Sequence, residues 1–283
     1  MDVDAALDYA EKHALEAFVA RRGRTTLAQR YAGSFTAATP HALYSGTKSF
    51  WGVAALYARR DGLLELDEPV TETIAAWKSD PWKKRVTLRM LLTLTAGFGF
   101  GGLGNAVPVY DRALEVPLKN EPGSTFTYGG IPLQVFGAVL ARKLAASKRT
   151  PHDYLHERIL GPAGIAVAKW RVLADGTQPL PTGAFLTAEN WLAYGRFVLR
   201  ERAALAPCFA GSSANPRYGL GWWLGAAGAP DDLCYASGSG GQALYLAPRD
   251  DLAVVHFGKS ASYKHDALLR RLFAPTVKRP SRL

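Results

Sequence analysis

The chain has 283 residues, of which 48% are hydrophobic and 20% charged, a composition typical of a globular protein rather than a disordered or fibrous one. The formal net charge is +10, but the Lys and Arg residues are scattered and not interleaved with aromatic residues, which argues against a nucleic-acid groove. No apolar stretch reaches the roughly 18 residues that a membrane span requires, so no membrane partner is predicted.

The first part of the chain is predicted to hold two helices and a strand pair. Apolar spacing predicts a helix over residues 4–20, and residues 25–36 are predicted to form two strands with a turn at Gly33. A second helix is predicted over residues 46–60, closed by Gly62 in the C-terminal capping position. Because its middle is apolar nearly all round, this helix is predicted to be buried.

The middle of the chain has a helical pattern, and its end has the pattern of antiparallel strands. Helices are predicted to begin after the N-caps Thr87, Thr150 and Thr187, with a further helix over residues 131–146. Strands are predicted over residues 218–224, 234–236, 242–247 and 252–257, followed by a closing helix over residues 263–273.

Sheet-forming residues at both ends of the chain enclose a mostly helical block, which predicts an α/β (α+β) architecture. One subdomain, residues 1–65 and 216–283, is predicted to hold an antiparallel sheet flanked by the terminal helices. Residues 66–215 are predicted to form an inserted all-helical subdomain, with the active site at the interface of the two.

Ser45 and Lys48 are the first candidate catalytic residues. Positions i and i+3 project on one face of a helix. The free N–H groups at a helix start favour negative charge on a serine oxygen, and a lysine held in a buried helix becomes easier to deprotonate. The pair is therefore predicted to be a nucleophile with its general base. The alternative, an N-cap serine beside a surface lysine, fits poorly with so apolar a helix.

Two glycine-rich segments add further candidates. Tyr128 lies in Phe-Thr-Tyr-Gly-Gly, between a turn and a helix, where it could transfer a proton to a leaving group. The second segment, Ala-Ser-Gly-Ser-Gly-Gly-Gln over residues 236–242, leads into a strand. Its glycines would let a substrate approach backbone N–H groups that could form an oxyanion hole. Taken alone, the first segment is also consistent with simple packing and the second with a hairpin bend.

Together these segments resemble the superfamily of serine β-lactamases, penicillin-binding proteins and family VIII esterases. The order is the same: Ser-x-x-Lys at a central helix, a tyrosine loop in the helical insert, and a glycine-rich strand near the C-terminus. Connecting segments are also similar, over residues 61–70, 86–97, 157–165 and 218–222. The resemblance implies a β-lactamase/transpeptidase-like fold. It also implies Ser45 as nucleophile, Lys48 as base, Tyr128 as proton relay, and an oxyanion hole made by the N–H groups of Ser45 and Gly241.

Two positions depart from the pattern of the superfamily. Gly130 stands where the tyrosine motif normally ends in asparagine, and Gly238, Ser239 and Gly240 stand where Lys-Thr-Gly is normal. These four residues are predicted to contact the substrate. Trp222 or Trp223 could line its pocket, and Trp222 is taken as the candidate. In β-lactamases the missing groups hold the antibiotic's amide and carboxylate, so strong penicillin binding is not expected.

The sequence thus predicts a serine hydrolase that cleaves a small-molecule ester, amide or lactam through an acyl-enzyme on Ser45. Its Gly-x-Gly-Gly-Gln segment is most similar to 6-aminohexanoate-dimer hydrolases and related esterases. A β-lactamase or D-Ala-D-Ala-type peptidase is the first alternative. A catalytically silent sensor or scaffold with a penicillin-binding-like fold is the second. The oligomeric state stays open.

No cofactor or metal is predicted. His152 and His156 have an i, i+4 spacing that can bind zinc, but they lack a third ligand and are interpreted as surface histidines. A Gly-x-Gly-x-x-Gly pattern over residues 97–102 follows a helix rather than a strand and is interpreted as a mobile loop near the site. Cys208 and Cys234 are predicted to be free thiols, and the acidic start of the chain lacks a signal pattern, so a cytoplasmic location is expected.

Overall fold

Strands from both ends of the chain form one antiparallel sheet at the centre of the fold. The computed structural model describes residues 1–275. The strands are β1 (Leu15–Arg22), β2 (Thr25–Tyr31), β3 (His41–Ala42), β4 (Lys169–Trp170), β5 (Ala184–Leu186), β6 (Trp223–Leu224), β7 (Cys234–Gly238), β8 (Gln242–Ala247) and β9 (Leu252–Gly258). Six of them form the central sheet in the order β2-β1-β9-β8-β7-β6, and β3, β5 and β4 form a small second sheet.

Helices cover both faces of the central sheet. They are α1 (Val3–Glu11), α2 (Ser49–Arg60), α3 (Leu88–Leu92), α4 (Tyr110–Glu115), α5 (Ile131–Leu144), α6 (Pro151–Leu155), α7 (Ala188–Arg200) and α8 (His265–Leu272). Helices α1 and α8 share one apolar cluster with Phe18 of β1 and Val254 of β9. Helix α7 covers the other face, where Trp191 stacks on Phe257 with ring centroids 5.1 Å apart. The predicted fold class is confirmed.

The first predicted helix and strand pair are wrong in their bounds. Helix α1 ends at Glu11, the backbone at Ala14 takes a positive φ of 52°, and β1 follows immediately. Strand β1 then pairs with β2 through a turn at Gly23 rather than at Gly33. The reason is that β1 is covered on both faces, so its apolar residues run continuously and satisfy helical spacing as well as strand spacing.

The later helices follow the prediction more closely. The side chains of Thr87, Thr150 and Thr187 each accept a hydrogen bond from a backbone N–H in the first turn of α3, α6 and α7. Helix α2 is buried over most of its length, as its apolar sequence predicts. No helix within residues 1–275 combines the length and the apolar character that crossing a membrane requires.

The predicted strand over residues 218–224 is shortened to β6. The backbone at Gly221 has a φ of 83° and passes so close to the Lys48 carbonyl that a Cβ would overlap its oxygen. The chain doubles back here, with Tyr218 bridging to Trp223, and Gly221 packs against the start of α2.

Helices α3, α4 and α6 pack around α5, whereas α7 packs on β8 and β9, with Gly195 lying against Leu244 and Leu246. The predicted helical segment 66–215 therefore includes one helix that belongs to the layer of the central sheet. The predicted nucleophile lies where the turn before α2 runs beside β7.

Candidate active site

Ser45 and Lys48 lie together at the start of α2, as their spacing predicts. Residues Tyr44–Lys48 form a 3₁₀ turn that leads directly into the helix. The Lys48 Nζ is 2.9 Å from the Ser45 Oγ and 3.2 Å from the Pro181 carbonyl oxygen. Ser45 is half-buried, whereas Lys48 is only 1% exposed. A serine reachable from a cavity is thus in direct contact with a lysine that solvent does not reach.

The electrostatic surroundings of Lys48 favour its neutral form. Within residues 1–275 no carboxylate forms an ion pair with it, and burial lowers its pKa to about 7. A neutral amine has a lone pair that can take the serine proton, which an ammonium group lacks. Lys48 is therefore suited to act as a general base near neutral pH.

Tyr128 is the third side chain beside Ser45, and aromatic neighbours surround its ring. The Lys48 Nζ is 4.8 Å from the ring centroid of Tyr128. Trp223 stacks on this ring at 5.7 Å, and Tyr218 meets it edge-on at 6.2 Å. Burial raises the pKa of the Tyr128 hydroxyl, and a hydrogen bond with Ser45 partly opposes that rise. A protonated hydroxyl beside Ser45 is in position to donate to a leaving group.

Strand β7 forms one wall of the cavity at Ser45. A Cβ at Gly238 would overlap the carbonyl oxygen of Leu43, two residues before the serine, so only glycine fits there. Around Ser45 lies a cavity of about 410 Å³ whose lining comes from six parts of the chain. Its lining residues are Ser45, Leu103, Tyr128, Trp223, Tyr235, Ser237, Gly238, Ser239 and His265.

Gly241, predicted for the oxyanion hole, lies on the far side of the turn after β7. Its carbonyl oxygen is 2.7 Å from the His256 Nδ1, and a Cβ on it would lie 2.9 Å from the Tyr263 ring. The cavity lining contains Ser239 in its place. Gly240 has a φ of 82° and borders a separate, smaller cavity.

The prediction that Trp222 lines the pocket is wrong, and its neighbour Trp223 lies there instead. The Trp222 side chain is fully buried and packs between Tyr194 and Phe209, whereas Trp223 lines the cavity. The two neighbours point in opposite directions because side chains alternate along an extended strand.

Gly130 is closed off from the cavity by the glycine-rich segment over residues 97–104. Its N–H donates to the Gly101 carbonyl oxygen at 2.9 Å, and a Cβ on it would overlap the Gly102 carbonyl oxygen. The same segment carries Leu103 into the lining of the Ser45 cavity. The segment therefore borders the site, as its sequence predicts, and it occupies the space beside Gly130.

Of the two histidines interpreted as surface residues, His156 is exposed as predicted, whereas His152 differs from the prediction. His152 is buried between Trp51 and Trp170 at 4.9 and 4.6 Å and is not a surface residue. In the part of the chain that the structure describes, no group of three or more His, Cys, Asp or Glu residues is arranged to hold a metal ion. His265, to which no motif points, lines the Ser45 cavity from the start of α8.

Part of this chain is similar in sequence to known proteins. It is similar to Esterase EstB of Burkholderia gladioli, 31% identical over 175 residues, which cover 51% of this chain and 44% of the esterase. Acyltransferase calJ of Penicillium decumbens is 29% identical over 128 residues, covering 35% and 30% of the two chains. The chain thus spans less than half the length of either relative.

Solved structures give the same fold at lower identity. EstCE1, a hydrolase with promiscuous acyltransferase activity, has a TM-score of 0.75 and 15% identity, covering 95% of this chain and 99% of that one. A class C beta lactamase from Rhodobacter sphaeroides has a TM-score of 0.72 and 16% identity, covering 96% and 97%. The family model for Beta-lactamase matches residues 7–274, and the chain therefore belongs to the beta-lactamase family.

Proposed function

We propose that this chain is a serine hydrolase that cleaves a small-molecule ester or amide through an acyl-enzyme on Ser45. One observation carries the proposal: the Ser45 Oγ lies 2.9 Å from the Nζ of the buried Lys48, and both belong to a site that opens into a cavity. A nucleophile in contact with a base of lowered pKa is the arrangement that acyl transfer requires.

In the first half of the reaction, Lys48 takes the proton of the Ser45 hydroxyl as Oγ attacks the substrate carbonyl carbon. The carbonyl oxygen becomes an oxyanion, and its proposed donors are the backbone N–H groups of Ser45 and Ser239, two residues that line the cavity. We assign Ser239 in preference to Gly241 because Ser239 lines the cavity and Gly241 does not. Tyr128 donates its proton to the leaving oxygen or nitrogen as that bond breaks.

In the second half, a water molecule replaces the leaving group. The Tyr128 oxygen, which has given its proton to the leaving group, accepts one proton of this water while the water oxygen attacks the acyl carbon, and Lys48 keeps the proton that it took from Ser45. The bond to the Ser45 Oγ breaks, and this oxygen regains a proton from Lys48. The carboxylic acid product then leaves, and the site returns to its first protonation state.

An ester is favoured over a β-lactam because the side chains that hold the antibiotic are absent here. At the asparagine position, Gly130 is covered by the backbone of Gly101 and Gly102. The apolar wall formed by Trp223 and Leu103 suits the carbon chain of an acyl group. The similarity to an esterase over part of the chain supports the same choice.

A fluorophosphonate probe, which phosphonylates a nucleophilic serine and releases fluoride, tests the proposal, with mass spectrometry to locate the label. We expect the wild type to be labelled on Ser45, Ser45→Ala to remain unlabelled, and Ser34→Ala, an exposed control, to be labelled normally. Absence of labelling in the wild type would support a silent scaffold instead. Cephalosporin turnover well above that of p-nitrophenyl butyrate would favour the β-lactamase alternative.

We also propose that the protein works in a reducing compartment. Cys208 and Cys234 are both free and buried. Unpaired thiols are the usual state of cysteine in intracellular proteins. Localisation of a tagged full-length protein by cell fractionation tests this, and recovery outside the cytoplasm would contradict it.

A further inference from the structure

Gln242, the first residue of β8, joins the turn after β7 to the end of β9. Its side chain is buried. The Nε2 donates to the Ser239 carbonyl oxygen at 3.1 Å and to the Gly258 carbonyl oxygen at 2.5 Å. The Oε1 accepts a hydrogen bond from the Gly258 N–H at 3.3 Å. Both ends of the amide group therefore bind backbone, and the side chain holds the turn against β9.

His256 of β9 holds the same turn two residues further along. Its Nδ1 lies 2.7 Å from the Gly241 carbonyl oxygen. Because a carbonyl oxygen only accepts, the Nδ1 carries a proton and donates it to this bond. Burial lowers the pKa of His256 to about 4, so the ring is neutral. Tyr263 stacks on the ring with centroids 4.3 Å apart, which fixes the direction of the donor.

The residue between these two anchors is held as well. The Gly240 carbonyl oxygen accepts a hydrogen bond from the N–H of Ser260, just after β9, at 3.2 Å. Gly240 and Gly241 have φ angles of 82° and 97°, which glycine adopts without strain but does not enforce. The shape of the turn is therefore defined by the three bound carbonyl groups rather than by the turn residues themselves.

The anchored turn lies against the segment that carries the nucleophile. Ser239, its first residue, lines the Ser45 cavity. The preceding Gly238 packs on the carbonyl oxygen of Leu43, two residues before the nucleophile. Ser239 is thus fixed on one side by this backbone contact and on the other by Gln242. Donors to an oxyanion are effective when they are held within about 0.5 Å of the required position before the reaction begins.

We infer that Gln242 and His256 are positioning residues for the oxyanion hole. They act through the turn, which keeps the backbone N–H of Ser239 where negative charge develops on the substrate. Neither side chain lines the Ser45 cavity, so neither contacts the substrate itself. This inference rests on the proposed hydrolase function. Since the oxyanion exists only after attack, loss of an anchor should affect the transition state far more than substrate binding.

Two variants that remove an anchor and keep most of its bulk test the inference. Gln242→Met keeps the length of the side chain but loses the amide group. His256→Phe keeps a ring but loses the Nδ1 donor. With p-nitrophenyl butyrate we expect each variant to lower kcat about 10- to 100-fold, the effect of a misplacement of up to about 1 Å. We expect KM to stay within about threefold of the wild-type value, because the cavity lining is unchanged.

A tetrahedral inhibitor gives a readout that a merely structural role would not change. The Ser45 Oγ adds to the boron of propylboronic acid, and the hydroxyl proton passes to Lys48. The boron becomes tetrahedral and anionic, and one of its oxygens takes the place of the oxyanion. We expect the inhibition constant to rise in both variants by about the factor by which kcat/KM falls.

A conservative variant of His256 should restore the anchor. In His256→Asn the amide nitrogen lies as many bonds from Cα as the Nδ1 does, so it can donate to the Gly241 carbonyl oxygen. We expect this variant to recover most of the kcat and of the boronate affinity that His256→Phe loses. Equal losses in the two variants would overturn the inference.

Tyr154→Phe serves as the control for lost stability. Its hydroxyl donates to Asp61 at 2.7 Å, at the end of α2 that lies away from Ser45. We expect this variant to have a lower Tm, with kcat and the inhibition constant close to those of the wild type. Circular dichroism establishes which variants are folded. Where Gln242→Met does not fold, the comparison between the two variants of His256 decides.

Folded variants with wild-type kcat and wild-type boronate inhibition would overturn the inference. A fall in kcat without a rise in the inhibition constant would also overturn it, as would equal losses in Tyr154→Phe, which would follow from reduced stability alone. A wild type that does not hydrolyse the ester would count against the hydrolase function itself. The two failures are therefore distinguishable.

Discussion

The indole of Trp223 stacks on the phenol ring of Tyr128 with centroids 5.7 Å apart and planes inclined by 22°. This contact joins the start of the C-terminal strands to the tyrosine loop of the helical part and fixes the ring beside Ser45. We predict that Trp223→Ala lowers kcat for p-nitrophenyl butyrate about 10- to 100-fold, because a misplaced acid–base group loses its alignment. Trp223→Phe should restore most of the activity.

The adjacent Trp222 is the matched comparison, because its ring lies in the core. Trp222→Ala is expected to lower the free energy of unfolding by about 3–5 kcal/mol, as do other large-to-small core substitutions. Denaturant unfolding measures this loss. If Trp222→Ala affected kcat alone and Trp223→Ala affected stability alone, the assignment of the two rings would be reversed.

Removal of the Tyr128 hydroxyl should impair proton transfer without disturbing packing. For Tyr128→Phe we expect kcat to fall about 10²–10⁴-fold, the usual contribution of one acid–base group. The measurement is steady-state hydrolysis of esters with leaving groups of increasing pKa. The defect should be largest for poor leaving groups, which need the proton most, and near-normal rates across the series would refute the role of Tyr128.

The pH dependence of kcat/KM should report the protonation of Lys48. Burial lowers its pKa to about 7, and only the neutral amine can act as the base. For an uncharged ester we expect kcat/KM to decrease about tenfold for each pH unit below roughly 6 and to level off above roughly 8. A profile that is flat between pH 5 and 9 would show that another group is the base.

Lys48 should also lower the free energy of unfolding of the protein. Its pKa is lower in the folded chain than in the unfolded one, so unfolding takes up a proton between about pH 7 and 10.5, and stability rises with pH across that window. Lys48→Met should therefore raise the free energy of unfolding on the order of 2–4 kcal/mol at pH 6. Urea unfolding at pH 6 and pH 9 should show this gain shrinking as the pH rises, and a loss of stability at pH 6 would contradict the account.

The local parts of the site could be predicted from the sequence. Ser45 and Lys48 are one turn apart, so the geometry of the 3₁₀ turn and α2 alone brings their side chains together. The N-cap threonines of α3, α6 and α7 act on the turn that follows them, and strand β8 has the bounds that were predicted. Each of these features depends on neighbours within a few residues.

Features set by packing could not be predicted. The choice between Trp222 and Trp223 depends on which of two successive side chains at the start of β6 meets the core, and the sequence there is apolar at both positions. The placement of Gly241 depends on the turn at Gly240, whose φ of 82° carries the next residue away from the cavity. His265 contacts Ser237 across 28 residues of chain, and no spacing rule joins them.

The most direct test of the central claim is to trap the acyl-enzyme. The protein is mixed with p-nitrophenyl butyrate, quenched in acid within the pre-steady state and digested for mass spectrometry. We predict a butyryl group on the peptide that contains Ser45, formed with a burst of p-nitrophenol and absent in Ser45→Ala. Steady hydrolysis with no covalent adduct, or an adduct on another residue, would contradict the assignment of Ser45 as the nucleophile.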